Sequence, residues 1–216
     1  KARGYFDIVT YTGTGSARTI SHNLGVVPEM MWIKNRDQSD FWVVYHKAIG
    51  NQTKLILNAT DAYSGNDSAW FNNTTPTSSV FSVGDSGRVN GSGEKLIAYL
   101  FATVAGVSKV GSYTGNAASD RVIDCGFTNG AKFVLIKDVD QNGTNWQIFD
   151  TTRGLTSTKA ELLRLNTTAA QIPNGSPSQD YHNLIEPNSS GFKLNNTSAL
   201  QVNANSVNYI FYAISA

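Results

Sequence analysis

The chain repeats itself, and this internal duplication constrains its fold more than any other feature. Repeats are sought first because each copy must form the same structural unit. Tyr11-Thr12-Gly13 recurs as Tyr113-Thr114-Gly115, and Glu29–Lys34 matches Lys132–Lys137. The other matches join Phe41–His46 to Asn145–Asp150, Leu55–Thr60 to Leu163–Thr168, and Tyr99–Ala102 to Ile210–Ala213. The offset grows from 102 to 111 residues, as loop insertions into a fixed framework would produce. The sequence therefore predicts two tandem copies, residues 1–105 and 106–216.

Each copy has the pattern of a series of short strands. Gly4–Thr12 alternates aromatic or β-branched residues with polar ones. Met30–Asn35 and Phe133–Lys137 are compact apolar runs, typical of strands at a sheet centre. After a polar turn, Phe41–Tyr45 and Trp146–Phe149 complete predicted hairpins. Further strands are predicted at Leu55–Leu57, Val80–Val83 and Leu96–Phe101.

About six or seven regularly spaced strands per copy predict an all-β fold. We expect two antiparallel β-sandwich-like repeats, either as separate sandwiches or as strand-swapped halves of one. Short helical turns are expected only at Thr158–Leu163 and Ala59–Ala62.

The chain is polar without being charged. Only 15% of the residues are charged, against the usual ~25%, and there are 21 Asn and 19 Gly. This composition argues against a helical bundle, a coiled coil and a charged disordered chain. A net charge of +1 without basic clusters argues against nucleic acid as a partner. No apolar run approaches ~18 residues, so no membrane insertion is expected.

One motif resembles a catalytic segment. Gly84-Asp85-Ser86-Gly87 is similar to the nucleophile segment of trypsin-like proteases, but Arg88 replaces the expected glycine. Nothing in the sequence specifies a histidine base held by a third group, so a strand-ending turn explains the motif better. No acidic pair recurs in both copies, which argues against a glycan hydrolase. We expect a protein that is not an enzyme and needs no cofactor.

Metal ligation is also not expected. Asp138–Gly143 matches the first half of an EF-hand loop, but Phe149 stands where the bidentate acid belongs. The segment predicts a hairpin turn, with an incidental calcium site as the alternative.

The remaining titratable candidates favour structural roles. The three histidines, His22, His46 and His182, lack metal-ligand spacing, and strand-end hydrogen bonding is expected of them. Cys125 lies in an apolar strand context, which predicts a buried, inert thiol and excludes an internal disulfide.

The candidate binding residues lie in two long polar loops, Asp61–Ser79 and Thr167–Ser190. Loops of this length are usually functional or disordered. Trp70 stands among Asn and Asp residues, an arrangement typical of sugar stacking combined with amide hydrogen bonds. Tyr63, Trp70, Asn72 and Tyr181 are therefore the candidate glycan-binding residues.

The alternative for Trp70 is that it pins its loop onto the sandwich or onto a neighbouring subunit. The other three tryptophans, Trp32, Trp42 and Trp146, lie in apolar strands and predict core packing.

A set of motifs extends in order along nearly the whole chain. The motifs are Tyr11–Gly15, Ser21–Glu29, Trp32–Arg36, Trp42–Lys47, Thr75–Phe81, Ala98–Ala102, Gly111–Gly115 and Phe149–Gly154. Together they resemble a domain of marine bacteriophage structural proteins. The domain occurs in cyanophage-like tail-fibre and other virion proteins, often downstream of a laminin-G or concanavalin-like sandwich.

The resemblance implies a virion component and no particular reaction. We expect a structural protein on the virion surface, in a tail fibre or a capsid-attached projection, made in the host cytoplasm and adhering to a host surface glycan. Its expected partners are other virion proteins and further copies of itself. The alternative is a capsid cement, decoration or assembly protein without a ligand.

Overall fold

The computed structural model describes residues 4–157, 160–173, 184–195 and 202–216. They form two compact units. The first comprises the described parts of Lys1–Ala59 and Tyr63–Val104, and the second those of Thr60–Ala62 and Ala105–Ala216. The described part of the chain contains no helix with the length and apolar character of a membrane span.

The first unit contains a six-stranded and a two-stranded antiparallel sheet. The larger sheet has the order β1-β8-β3-β4-β5-β6, and the smaller pairs β2 with β7. The elements are β1 (Phe6–Thr12), β2 (Arg18–Ser21), β3 (Met30–Asn35), β4 (Trp42–His46), β5 (Gly50–Ile56), β6 (Ser64–Gly65), α1 (Ser68–Phe71), β7 (Val80–Val83), α2 (Gly87–Asn90) and β8 (Lys95–Phe101).

The second unit contains a five-stranded and a three-stranded antiparallel sheet. Their orders are β13-β12-β11-β16-β9 and β10-β15-β14. The strands are β9 (Ser108–Thr114), β10 (Arg121–Asp124), β11 (Ala131–Asp138), β12 (Gln147–Asp150), β13 (Leu163–Arg164), β14 (Ile185–Asn188), β15 (Gly191–Leu194) and β16 (Asn208–Ser215).

Each unit has its own core, formed by side chains from both of its sheets. In the first unit Met31 and Ile33 of β3 pack in one cluster with Phe81 of β7. In the second, Val134 and Ile136 of β11 share a cluster with residues of the smaller sheet, such as Phe192. Successive strand residues point to opposite faces, so alternate positions supply each core. The predicted all-β fold of antiparallel, sandwich-like sheets is confirmed.

Most predicted strands agree with the observed ones to within a few residues. Met30–Asn35 and Val80–Val83 match β3 and β7 at both ends, and both predicted hairpins form. The helical prediction for Ala59–Ala62 is wrong, because these residues follow β5 as a turn and a loop. The prediction at Thr158–Leu163 includes residues outside the described part. Its remainder leads into β13 instead of a helix.

The tryptophan predictions were right for one residue of three. Trp146 is 1% exposed, as expected of a core residue. Trp32 alternates with the core residues Met31 and Ile33, so it lies on the opposite face of the sheet and is only half-buried. Trp42 is also half-buried on that face, where its ring centroid lies 6.0 Å from that of Tyr99.

Candidate functional site

The loop that carries Trp70 folds into the short helix α1. Asp67 caps the start of the helix, because its Oδ1 accepts a 2.8 Å hydrogen bond from the Ala69 backbone N–H. Asn72 ends it in the left-handed conformation at φ 50°, where its N–H donates to Ser68 O over 2.9 Å. Sequence reasoning missed this helix, although an Asp before it and two Asn after it are capping signals.

An open, polar cleft lies beside α1. Its volume is about 270 Å³, just below the ~300–1,000 Å³ usual for small-molecule sites. Three segments far apart in sequence contribute its walls: the loop after β1, α1 with its C-cap, and the loop after β7. The lining residues are Gly15, Ser16, Ala17, Ser68, Asn72, Gly84 and Asp85. They offer hydroxyl, amide and carboxylate groups to a polar ligand.

Asn90 holds two of these segments together. Its side chain is fully buried, and its Oδ1 accepts from the Thr14 N–H over 3.0 Å. Its Nδ2 donates to Ser16 O and to Gly84 O, both over 2.7 Å. Because the amide is satisfied on both sides, the walls of the cleft are fixed relative to each other.

Backbone hydrogen bonds attach the third segment. Gly84 N–H donates to Trp70 O, and Ser86 N–H donates to Ala69 O, each over 3.0 Å. A Cβ at position 84 would lie 2.2 Å from Ser68 O, so only glycine permits this close approach. The Gly84–Gly87 motif is therefore the strand-ending turn that the sequence predicted.

Trp70 is clamped by cationic side chains and is not fully free to stack. It is half-buried against the first core. The Lys54 Nζ lies 4.2 Å from the indole centroid and occupies one face of the ring. The Arg88 guanidinium lies 5.9 Å from the same ring and 4.7 Å from that of Phe41, and it pairs with Asp40. These contacts are the ones expected if Trp70 anchors its loop to the sandwich, which was the alternative to sugar stacking.

The four candidate glycan-binding residues have different positions. Asn72 lines the cleft, and Trp70 lies two residues before it in α1. Tyr63 is 45% exposed and directly precedes β6. Tyr181 lies outside the described residues. The cleft residues Ser16, Ser68 and Asp85 were not predicted, because no local pattern shows that residues so far apart meet.

The histidines and the cysteine have structural environments. His22 Nδ1 accepts from Leu24 N–H, so its Nε2 carries the proton that it donates to Thr77 O over 3.1 Å. His46 Nδ1 accepts from Ala48 N–H at the end of β4, and burial lowers its pKa to about 3. Strand-end hydrogen bonding is thus confirmed for His46, and His182 lies outside the described residues.

Cys125 is 4% exposed in the second core. Burial raises the pKa of its thiol to about 12, as expected for an inert side chain.

The oxygens of the partial EF-hand motif accept hydrogen bonds from the protein itself. Asp138 Oδ1 accepts from the N–H groups of Asp140 and Gln141, and Asp140 Oδ2 accepts from Asn208 N–H. Asn142 Oδ1 accepts from Ala62 N–H. The segment connects β11 to β12, which confirms the predicted hairpin. Within the described residues, no group of three or more His, Cys, Asp or Glu side chains is placed to hold a metal.

Comparison with known sequences found one match. The model of a family described as a domain of unknown function, DUF7483, matches residues 2–216. No curated protein and no solved structure matches the chain.

Proposed function

This chain belongs to the DUF7483 family, a domain of unknown function, and we propose that it is a bacteriophage virion structural protein that binds a host surface glycan. It would stand on the particle surface, in a fibre or a projection, and contact the glycan through the cleft beside α1. The motifs that resemble marine phage virion proteins support the location, and the cleft supports the binding.

We also propose that the two units arose by duplication of one β unit. The order β1-β8-β3-β4-β5 of the first large sheet has the same succession as β9-β16-β11-β12-β13 of the second. Each unit also has a smaller antiparallel sheet. Its first strand is β2, which follows β1, in the first unit and β10, which follows β9, in the second.

Matching hydrogen bonds support this proposal. Tyr11 Oη donates to Val89 O, and Tyr113 Oη donates to Val202 O, both over 2.6 Å. The buried Asn203 repeats two of the Asn90 bonds, since its Oδ1 accepts from Asn116 N–H and its Nδ2 donates to Ala118 O.

The strand registers also give a residue alignment for the last strand. Tyr11 pairs with Leu96, and Tyr113 pairs with Tyr209. Tyr99 therefore corresponds to Tyr212, two residues beyond the Ile210 that sequence matching had paired with it.

The cleft is the single observation that supports adhesion. Sugars present several hydroxyl groups, which donate and accept hydrogen bonds, and the lining provides complementary groups on three segments. Asn90 fixes these segments before a ligand arrives, which lowers the entropic cost of binding. Many copies on one particle would convert weak single contacts into useful avidity, in association with other virion proteins and further copies of this chain.

A glycan array probed with the multimerised protein tests adhesion. We expect binding to host polysaccharide. Asn72→Gly should weaken it about tenfold, because glycine keeps the left-handed backbone and loses only the amide. Asn73→Gly is the matched control, since Asn73 also has a positive φ of 47° and does not line the cleft. No binding by the wild type, or equal losses in both variants, would contradict the proposal.

A capsid decoration or assembly protein is the second candidate, and an apolar groove of about 350 Å³ favours it. Gly4, Leu24, Gly25 and Val26 line the groove, and the next side chain, Val27, is 43% exposed. Exposed apolar surface of this kind is common at subunit contacts. This candidate predicts that particles assembled without the protein lose integrity, and that Val27→Ser reproduces the defect while Asn72→Gly does not.

A further inference from the structure

We infer that the cleft beside α1 selects neutral over acidic saccharides and that Asp85 is its specificity-determining residue. This inference rests on the proposed function and names the ligand class of the same site. The motif that contains Asp85 has no role in the fold that requires a carboxylate, because the turn depends on Gly84 and on backbone groups.

The Asp85 carboxylate is exposed at the cleft wall. Within the part of the chain that the structure describes, it forms no ion pair and no hydrogen bond. Its backbone position is nevertheless fixed, because the residues on either side donate to α1 and Gly84 O accepts from Asn90. A carboxylate on a fixed backbone and without a partner in the protein is able to accept hydrogen bonds from a ligand.

The chemistry of a carboxylate decides the ligand class. An ionised carboxylate is acceptor-only, and its two oxygens can accept hydrogen bonds from two neighbouring sugar hydroxyls. Such charge-assisted bonds are stronger than those between neutral groups. A uronic acid or a sulfated sugar in the same position would instead bring a second negative charge beside Asp85.

The cations near the cleft do not compensate for that charge. Arg18, next to the lining residue Ala17, donates to Thr12 O over 2.8 Å. Arg88, three residues further along, pairs with Asp40 through Nε and lies over Phe41. Lys54 donates to Ser64 Oγ over 2.9 Å and lies over Trp70. The cleft lining itself contains one charged side chain, Asp85.

Paired polysaccharides on one array test the inference. The probes are a neutral glucan, galactan and mannan, the corresponding glucuronan, galacturonan and mannuronan, and dextran sulfate. We expect the multimerised wild type to bind at least one neutral polymer about tenfold more tightly than its acidic counterpart. Asp85→Asn should weaken neutral binding about tenfold and reduce the preference over the acidic partner.

Asp61→Asn serves as the charge-matched control, because Asp61 is exposed and belongs to the second unit. Equal melting temperatures of the variants and the wild type establish that the fold is intact. Equal binding of neutral and acidic partners, or unchanged selectivity in Asp85→Asn, would overturn the inference while leaving adhesion in place. Binding to none of the probes and to no host glycan would instead reject the proposed function.

Discussion

The central strands β3 and β11 of the two units end in different residues, β3 in Asn35 and β11 in Asp138. Both side chains make the same local turn. Asn35 Oδ1 accepts hydrogen bonds from the N–H groups two and three residues further along the chain. Asp138 Oδ1 accepts from the N–H groups at the same two spacings. Only the amide can also donate, and Asn35 Nδ2 donates to Gly87 O over 3.2 Å and to the carboxylate of Glu94.

The carboxylate of the second unit lies in a different electrostatic setting. Burial raises the pKa of Asp138, although two backbone N–H groups and Lys137 oppose that shift. Lys137 is itself fully buried, and its Nζ donates to Thr144 O over 2.8 Å and to Thr144 Oγ1 over 2.6 Å. One backbone turn is thus compatible with an amide that donates to a carboxylate in one unit and with a carboxylate next to a buried lysine in the other.

The largest expected effects come from the buried amides that both units share. Asn90→Ala should destabilise the first unit by about 3–5 kcal/mol, because three backbone groups lose their hydrogen-bond partner in a buried site. Asn203→Ala should destabilise the second unit through the same mechanism. Urea denaturation measures both losses. Asn203→Ala should leave glycan binding intact, because Asn90 and not Asn203 joins the walls of the cleft. Loss of glycan binding in Asn203→Ala would contradict the assignment of binding to the first unit.

Exchanging the strand-end residues should have unequal effects. Asn35→Asp should destabilise the first unit by about 3 kcal/mol at neutral pH, because it places a buried carboxylate against Glu94. Asp138→Asn should change stability by less than about 1 kcal/mol, since the amide oxygen keeps both turn hydrogen bonds.

Hydrogen exchange at the two strand ends measures the difference between these variants. Adding Glu94→Gln to Asn35→Asp should recover most of the loss, because the glutamine amide can donate to the new carboxylate. Equal effects of the two exchanges would show that the charge environments of the units do not differ.

The buried lysine should make stability depend on alkaline pH. Burial lowers the pKa of Lys137 to about 8, so near pH 9 the unfolded chain binds a proton that the folded chain has released. Stability contributed by this group therefore rises with pH between about 8 and 10.5, the interval between its folded and ordinary pKa values. We expect a gain of about 1–2 kcal/mol across this interval.

Urea denaturation of the wild type and of Lys137→Met at both ends of the interval measures this contribution. Other groups titrate in both proteins, so their effects cancel in the comparison. Identical pH dependence in the two proteins would rule out Lys137 as the source.

The smallest effect concerns the cation over Trp70. A double-mutant cycle with Lys54→Met and Trp70→Leu should give a coupling energy of about 0.5–1 kcal/mol. The same cycle on Arg121 and Tyr113 in the second unit, whose guanidinium lies 5.5 Å from the ring, is the control. Coupling indistinguishable from zero at Lys54 would leave the indole free to stack on a sugar.

Local pattern predicted the strands well because alternation follows directly from the geometry of a strand. Local pattern did not predict which face of a strand packs in the core. Trp32 and Trp42 occupy strands as predicted, yet they lie on the face opposite the first core, whereas Trp146 is buried. An apolar side chain is compatible with either face, so the neighbouring sheet decides which face becomes the core.

The candidate site was predictable only in part. Asn72 was named as a ligand-binding residue and does line the cleft, and the loop around Trp70 was recognised as unusual. The other walls come from the loop after β1 and the loop after β7, which no local signal connects with α1. The fully buried amide of Asn90 joins two of these walls, and its role depends on partners 74 and 76 residues away along the chain.

Local sequence patterns were enough to predict the all-β class, most strand positions, the hairpin between β11 and β12 and the burial of Cys125. Each of these follows from side-chain periodicity, turn propensity or hydrophobicity, which act between neighbouring residues. Three other features are visible only in the folded chain: Lys54 and Arg88 lie over Trp70, Asp85 and Asn72 line one cleft, and Lys137 is buried. These features depend on contacts between distant segments, which form only when two sheets pack and exclude water from the groups between them.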